Sequence, residues 1–203
     1  DLPHDSPERY ARLGVEVLSG SARLVSPWEV EVTAADGAVR RLTTRAVVVA
    51  AGARPRVPPI PGIADTGYLT SDTLWDLRRH PGRLLVLGGG PVGCELAQAF
   101  ACLGVPVTLV EMAPRLLAGE DPEVSEAVAA GLAADGVRLL LDHRAEAFEA
   151  GEGGRVLRAR AGGETRRVAF DTLLVAVGRE ANLTGYGLEE LGIPGEPTVE
   201  TNG

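Results

Sequence analysis

The chain has 203 residues, of which 45% are hydrophobic and 24% charged, and its formal net charge is −8. This composition is typical of a soluble globular protein with one or two domains, and the negative charge argues against nucleic acid or an anionic membrane surface as a partner. No apolar run is as long as a membrane span, and no signal peptide opens the chain, so we expect a cytoplasmic location. The only methionine is Met112, so Asp1 is expected to be a cut end.

The first forty residues predict a short helix and a small antiparallel meander. Ser6 is a suitable cap before Pro7, and Gly14 follows the end of the predicted helix. Alternating apolar residues around Trp28 and the turn residues 35–37 then indicate a hairpin. Strands are predicted at residues 15–18, 21–24, 28–32 and 39–43.

Residues 46–51 form an apolar run that ends in Gly52. Such a run is typical of a strand that is covered on both faces, so we expect it in a central sheet. Residues 54–61 are rich in proline and predict a stiff extended connection. The predicted division is therefore a partial domain at residues 1–67, a second domain at residues 68–180 and a return segment at residues 181–203.

The segment from residue 84 to residue 111 predicts a strand, a tight glycine-rich loop, a helix and a second strand. Before it, Ser71 or Asp72 is expected to cap a helix that continues to about Arg79. Within the segment, the helical spacing of Leu96, Phe100 and Leu103 indicates the face that packs on the sheet, and residues 105–110 form the second strand.

The glycines Gly88, Gly90 and Gly93 have the spacing that lets a backbone turn sharply and approach a pyrophosphate. Pro91 suits the first position of the helix, whose free N–H groups face an anion. Glu111 follows Gly93 by about eighteen residues, near the distance at which an acid accepts hydrogen bonds from the adenosine ribose. Since a carboxylate would repel a 2′-phosphate, we expect NAD to be preferred over NADP.

The remainder of the chain predicts a second helix, two more parallel strands and an inserted meander. Residues 121–136 indicate the helix, with Val124, Val128 and Leu132 facing inward. The sequence therefore predicts an α/β, Rossmann-like fold with a parallel sheet, helices and an inserted three-stranded antiparallel meander. Residues 15–54 and 145–179 share the order meander, apolar strand and glycine, which suggests two related nucleotide-binding halves. The parallel strands are expected at residues 137–141 and 172–177, and the meander at residues 145–170.

The other reactive side chains predict no separate chemistry. Cys94 and Cys102 lie about 12 Å apart along one predicted helix, too far for a disulfide, and are expected to be free thiols. The three histidines have no metal-ligand spacing, so we expect no metal site. Five arginines of the inserted meander could meet a phosphate, but solvated strand edges use such charges to prevent pairing and we favour that interpretation. They are Arg155, Arg158, Arg160, Arg166 and Arg167.

Four blocks along the whole chain are distinctive: residues 50–55, residues 88–95, residues 171–182, and residues 188–193 with residues 201–202. In these blocks and in their order, the chain resembles the pyridine nucleotide-disulfide oxidoreductases, a family that includes dihydrolipoamide dehydrogenase, glutathione reductase and mercuric reductase. Two departures from the family pattern are Ala51, which replaces a threonine, and Ala181, which replaces a proline before Asn182.

The resemblance implies roles for specific residues. It places Glu95 near the nicotinamide, as the candidate catalytic residue, and Gly178 at the same end of the dinucleotide. It also implies that the family's FAD glycine loop, its Cys-x4-Cys pair and a flavin-facing lysine precede Asp1, and that a dimerisation domain follows Gly203. The cofactor-binding residues are then Ala50, Ala51 and Gly52 for FAD, and Gly88, Gly89, Gly90, Pro91, Val92, Gly93 and Glu111 for NAD.

The expected function is that of the NAD(H)-binding portion of a flavin-dependent oxidoreductase, which passes hydride from NADH to FAD and on to a disulfide or similar acceptor. The longer protein is expected to be a homodimer, and the chain alone to be inactive. Two alternatives stay open: a dinucleotide-binding module without catalysis, and a fragment of a non-disulfide flavoenzyme of the NADH oxidase or ferredoxin reductase type. The electron acceptor cannot be assigned from these residues.

Overall fold

The computed structural model describes residues 6–151, 154–193 and 195. The chain divides into two compact units, residues 1–52 with 181–203, and residues 53–180. The first boundary between the units, after residue 52, thus lies earlier in the chain than the predicted boundary after residue 67. The reason is that the proline-rich connection packs on the second unit: Ile63 is buried in the same cluster as Phe148, and the Phe148 N–H donates to the Pro61 carbonyl at 2.8 Å. The predicted roles of residues 201–202 lie outside the described residues.

The first unit contains one short helix and one antiparallel meander. Helix α1, Pro7–Arg12, begins after Ser6, whose hydroxyl accepts from the Arg9 N–H. No strand forms at residues 15–18, so that prediction was wrong. In the meander, only Leu24 and Val32 are buried, because none of the described residues forms a second layer over the rest of its surface. Its strands are β1 (Ser21–Ser26), β2 (Glu29–Thr33) and β3 (Val39–Thr43), in that spatial order.

The apolar run at residues 46–51 does not form the predicted strand. Val47, Val48 and Val49 are exposed to 38%, 90% and 45%. None of the described residues pairs with this run as a neighbouring strand, so its side chains have no sheet or helix layer to pack on. The expectation that it is covered on both faces was wrong for this chain.

The second unit is built on a four-stranded parallel sheet, which confirms the predicted α/β architecture. Its central strand β5 (Leu84–Leu87) pairs with β11 (Thr172–Val175) on one side and with β6 (Val107–Val110) on the other. The side chains of β5 are at most 6% exposed, because helices and the inserted meander cover both faces of the sheet. The order is β11-β5-β6-β7, formed by β5 (Leu84–Leu87), β6 (Val107–Val110), β7 (Arg138–Leu140) and β11 (Thr172–Val175).

Two helices pack on this sheet through faces that differ in part from the prediction. Helix α2, Pro91–Cys102, buries its small residues, which permit a close approach to the sheet, whereas Leu103 is 77% exposed. In helix α3, Pro122–Ala134, Leu132 is buried as predicted but Val124 is 44% exposed. The buried positions are Gly93, Cys94 and Ala97 in α2, and Ser125 and Leu132 in α3.

The predicted helix from residue 71 to residue 79 is reduced to one 3₁₀ turn, Leu74–Asp76. Hydroxyl groups of the preceding residues bind the backbone locally: the Thr70 N–H donates to the Thr73 hydroxyl at 3.0 Å, and the Asp72 N–H donates to the Thr70 hydroxyl at 3.3 Å. Such bonds compete with helical ones, which explains the shorter element.

The inserted meander confirms the prediction and shares a core with the parallel sheet. Phe148 and Phe170 pack edge to face, with ring centroids 5.9 Å apart, in the same cluster as Leu85 and Leu87. The meander consists of β8 (Arg144–Gly151), β9 (Gly154–Ala161) and β10 (Glu164–Phe170), and a separate two-stranded sheet pairs β4 (Ala53–Pro55) with β12 (Arg179–Ala181). In the described part of the chain, no helix has the length and apolar character needed to cross a membrane.

Candidate functional site

A cavity of about 630 Å³ lies at the carboxyl ends of the parallel strands of the second unit. This edge of an open parallel sheet is where ligands usually bind, because loops from several strands converge there. The glycine loop forms one wall, and the segments that follow β6, β7 and β11 form the others. Its lining includes Gly88, Gly89, Gly90, Glu111, Met112, Arg115, His143, Arg144, Ala145, Val177 and Gly178.

Two positions of the glycine loop require glycine because the backbone passes close to its neighbours. Gly88 has a φ of +110°, and a Cβ atom on it would lie 2.4 Å from the Ala176 carbonyl oxygen. A Cβ atom on Gly93 would lie 2.0 Å from the Gly88 carbonyl oxygen. Gly90, in contrast, has no heavy atom within 4 Å of its Cβ position, so this side of the loop is open.

The loop leads directly into helix α2, with Gly90 as its N-cap and Pro91 as its first residue. The N-terminal N–H groups of a twelve-residue helix therefore lie beside the cavity. Such groups carry partial positive charge and favour an anion.

The carboxylate of Glu111 is half-buried and binds two backbone N–H groups. Its Oε2 atom accepts from the Gly89 N–H at 2.6 Å, and its Oε1 atom accepts from the Ala113 N–H at 2.7 Å. The predicted ribose-binding acid thus lines the cavity and also joins the glycine loop to the segment after β6.

Arg115 lines the same cavity, but its guanidinium group is bound to its own loop. It donates to the Glu120 carbonyl at 2.6 Å, to the Ala118 carbonyl at 2.8 Å and to the buried Ser125 hydroxyl at 3.2 Å. These bonds hold the loop between β6 and α3 together and use both terminal nitrogens of the guanidinium group.

Two other arginines at the cavity, Arg56 and Arg144, are exposed. The side chains of both make no hydrogen bond or ion pair to any residue that the structure describes. His143, to which we assigned no chemistry, also lines the cavity, with its Nδ1 atom 2.5 Å from the Leu141 carbonyl oxygen. Arg56 and Arg144 therefore give the cavity that Glu111 lines positive charge that is not engaged by other described residues.

The remaining residues of the predicted NAD set take different positions. Pro91 and Val92 line a smaller cavity of about 90 Å³ with Gly90, Gly178 and other residues. Gly93 is buried, and its role is to let α2 approach the loop. Glu95 is exposed on α2 and belongs to the lining of neither cavity.

Cys94 is a buried thiol rather than a reactive one. Burial raises its pKa to about 11, with further contributions from the negative charges of Glu111 and Glu95. A thiol with so high a pKa stays protonated at neutral pH and is a poor nucleophile. Among the described residues, no group of three or more His, Cys, Asp or Glu side chains could hold a metal ion.

In the first unit, Ala50, Ala51 and Gly52 are exposed. Asn182 binds this segment twice: its side-chain amide donates to the Ala51 carbonyl and its backbone N–H donates to the Gly52 carbonyl, both at 3.0 Å. The Tyr186 hydroxyl donates to the Asn182 carbonyl at 2.9 Å. Two blocks that carry the resemblance are thus adjacent, although far apart in sequence.

Arg179, next to the predicted Gly178, joins three segments of the second unit. It donates to the Ser71 hydroxyl at 2.9 Å, to the Asp72 carboxylate at 2.8 Å and to the Ala53 carbonyl. The hydrogen bond from Arg179 is the main reason that the pKa of Asp72 is lowered. This arginine fixes the chain on either side of the smaller cavity.

Sequence reasoning missed several residues of the main cavity. Those after β7, including His143 and Arg144, could have been found from the rule that ligands bind at carboxyl ends of parallel strands. The wall formed by Pro58, Pro59 and Ile60 had no such signal, because it depends on Gly62, whose close approach to the Phe148 carbonyl leaves no room for a Cβ atom.

The chain was compared with known protein families and proteins. Residues 7–200 match the family model described as pyridine nucleotide-disulphide oxidoreductase. The mercuric reductase of Bacillus cereus is 34% identical over 190 residues, which cover 92% of this chain and 29% of that protein. The soluble pyridine nucleotide transhydrogenase of Pseudomonas aeruginosa (strain LESB58) is 34% identical over 184 residues, which cover 91% of this chain and 39% of that protein. The chain thus spans about a third of the length of these relatives.

The chain is also similar to solved protein structures. LpdA from Mycobacterium tuberculosis matches with a TM-score of 0.76 and 31% identity, over 93% of this chain and 42% of that one. The HOCl-induced flavoprotein disulfide reductase RclA from Escherichia coli, in its Cu(II) complex, matches with a TM-score of 0.73 and 31% identity, over 88% of this chain and 40% of that one.

Proposed function

Because the chain belongs to the pyridine nucleotide-disulphide oxidoreductase family, we propose that its second unit binds NAD(H) and, within a longer protein, positions the nicotinamide for hydride transfer to a flavin. The observation that carries this proposal is the glycine loop, whose open side at Gly90 faces the cavity at the N-terminus of α2. The cavity volume of about 630 Å³ lies within the usual range of ligand sites.

The residues present fit a dinucleotide. The close backbone contacts at Gly88 and Gly93 produce a tight loop that lets a diphosphate approach the N–H groups of α2. Arg56 and Arg144 supply the positive charge that is available beside the loop. Glu111 accepts hydrogen bonds and lies where the adenosine ribose is expected.

NAD is proposed as the preferred nucleotide over NADP. A 2′-phosphate beside Glu111 would meet a carboxylate, and the nearby Arg115 is bound to the Glu120 and Ala118 carbonyls. The carboxylate disfavours the additional phosphate of NADP, and the bonds of Arg115 reduce the number of N–H groups that it could offer to that phosphate.

The flavin would be bound in the longer protein, with Ala50, Ala51 and Gly52 as contacts from this chain. These residues are exposed, and Asn182 holds the segment by hydrogen bonds to the Ala51 and Gly52 carbonyl groups. When bound, FAD would accept hydride from NADH and pass electrons to a disulfide or a similar acceptor. The relatives are named for different reactions, so we name no acceptor. The proposal also places Glu95 near the nicotinamide. It further includes a homodimeric assembly of the longer protein and a cytoplasmic location.

A second candidate function is nucleotide binding without catalysis by this chain. The exposure of Val47 to Val49 beside the proposed flavin contacts favours it, because that surface is uncovered here. The absorption spectrum of the chain, measured after FAD is added and the excess removed, separates the two. Retained flavin would support catalysis by the chain itself, whereas its loss would support the binding module.

The proposal is tested by titrating NADH into the wild-type chain and two matched variants. Gly90→Ala adds a methyl group to the open side of the loop, where nothing lies within 4 Å, so the fold should be unaffected. Gly131→Ala makes the same change in α3, again with open space around it. We expect NADH affinity to fall about tenfold or more in Gly90→Ala only. Equal affinity of the three proteins, or no binding by the wild type, would contradict the proposal.

A further inference from the structure

Both the N–H and the carbonyl group of Gly89 are hydrogen-bonded to other residues. Its N–H donates to the Glu111 carboxylate at 2.6 Å. Its carbonyl accepts from the Leu117 N–H at 2.8 Å and from the Cys94 thiol at 3.4 Å. The residue at the middle of the loop therefore has its backbone bonds satisfied by three residues, two from the segment after β6 and one from α2.

The other partner of Glu111 belongs to the segment after β6. Its second carboxylate oxygen accepts from the Ala113 N–H at 2.7 Å. In the same segment, Leu116 is fully buried against Gly89: its Cδ2 atom lies 2.7 Å from the position of a Cβ on that glycine. The glycine loop and residues 111–117 thus form one packed unit, with the carboxylate as the bridge.

We propose that Glu111 is a positioning residue for the glycine loop, in addition to the ribose contact that the proposed function assigns to it. Both of its partners are N–H donors, so the bridge needs two acceptor atoms on one side chain. A carboxylate supplies two acceptors, whereas the amide of Gln supplies one acceptor and one donor group. Glu111→Gln would therefore leave Gly89 or Ala113 facing a second donor.

The consequence concerns the diphosphate rather than the ribose alone. The N–H groups of a preorganised loop bind an anion without a further ordering cost. When the bridge is broken, the loop can leave that shape, and a ligand that contacts it must restore the shape on binding. A ligand that carries only the ribose has no such requirement.

The first test measures amide hydrogen exchange by NMR in the chain without nucleotide. In Glu111→Gln, we expect the Gly89 and Ala113 amides to exchange about tenfold faster, while strand amides such as that of Leu109 keep their rates. Glu164→Gln is the control, because Glu164 is exposed and its carboxylate has no partner among the described residues. Unchanged exchange at Gly89 in Glu111→Gln would overturn the proposal.

A measurement on the wild type covers the case in which Glu111→Gln does not fold. In the wild type, the Gly89 and Ala113 amides should exchange more slowly than the exposed Gly119 amide, because the Glu111 carboxylate binds both N–H groups. Exchange of Gly89 and Ala113 as fast as that of Gly119 would overturn the bridge.

The second test separates positioning from a ribose contact. Titrations with NADH and with adenosine, which has the ribose but no phosphate, are compared in the wild type and Glu111→Gln. We expect a larger fold-loss of affinity for NADH than for adenosine. Equal losses, or a smaller loss for NADH, would leave only the ribose contact. If the wild type binds no NADH, the proposed function fails, while the exchange experiment still decides the bridge.

Discussion

Residues 84–87 and residues 47–51 are both apolar runs that lead into a glycine, yet the first is a buried strand and the second is exposed. Leu85 in the first run is 0% exposed, whereas Val48 in the second is 90% exposed. Strand β5 has a hydrogen-bonded neighbour on each side, and the run at residues 47–51 has none among the described residues. The burial of an apolar run thus depends on its neighbours, which its own sequence does not contain.

The largest expected effect is the loss of stability when a buried side chain of residues 84–87 is shortened. In Leu85→Ala, a cavity replaces a side chain packed between the parallel sheet and the inserted meander, and the free energy of unfolding should fall by about 2–5 kcal/mol. Urea denaturation measures this change. A loss below about 1 kcal/mol would mean that β5 is not the packed centre of the second unit.

The next effect concerns the glycine loop at the end of the same strand. Gly93→Ala places a Cβ atom 2.0 Å from the Gly88 carbonyl oxygen, so the helix or the loop must move. We expect a decrease of about 1–3 kcal/mol in unfolding free energy, as for other overpacked sites. Gly131→Ala serves as the control and should be stabilising by about 0.5–1 kcal/mol. Equal stability of the two variants would contradict the close approach at Gly93.

A smaller effect is expected where β5 and β11 begin. Asp171 accepts from the Arg83 guanidinium group and from the Arg83 N–H, and these bonds hold its pKa well below its usual range. A carboxyl whose pKa is lowered by folding stabilises the protein above its unfolded pKa, and this contribution is lost as the pH falls through the folded pKa.

Asp171→Asn should therefore lower the thermal midpoint modestly at pH 7, since both side chains are about half exposed. The difference from the wild type should shrink as the pH falls below about 4, the unfolded pKa of Asp. Thermal scans across this range measure the effect. A difference that grows with acidity would have the wrong sign for this account.

The smallest effect is expected in the exposed run. Val48→Ala removes two methyl groups that are already in water, so the unfolding free energy should change by no more than about 0.5 kcal/mol. A loss similar to that of Leu85→Ala would show that residues 47–51 are packed in solution and would remove the contrast between the two runs.

The order of elements from β5 to β11 could be predicted from sequence, because glycine spacing, helix caps and apolar runs are local signals. The buried face of α2 could not be predicted fully. Leu96 and Phe100 are only partly buried and Leu103 is exposed, while the smaller Ala97 is 0% exposed. Close packing of a helix on a sheet favours small residues at the contact, and hydrophobic size alone does not indicate this.

The candidate site was predictable to a similar extent. The positions of Gly88, Gly90 and Glu111 at one cavity follow from the strand, loop and helix pattern. The bonds from Glu111 to the loop and the wall formed by Pro58 and Ile60 depend on tertiary contacts across the unit. Such contacts leave no periodic pattern in the sequence.

The central claim is that the second unit is an NAD(H) site with Glu111 at the ribose. The most direct test is calorimetric titration of the wild-type chain with NADH and with NADPH under the same conditions. We predict that NADH binds and that the affinity for NADPH is lower by about tenfold or more, because the 2′-phosphate of NADPH meets the Glu111 carboxylate. Tighter binding of NADPH, or no binding of NADH, would contradict it.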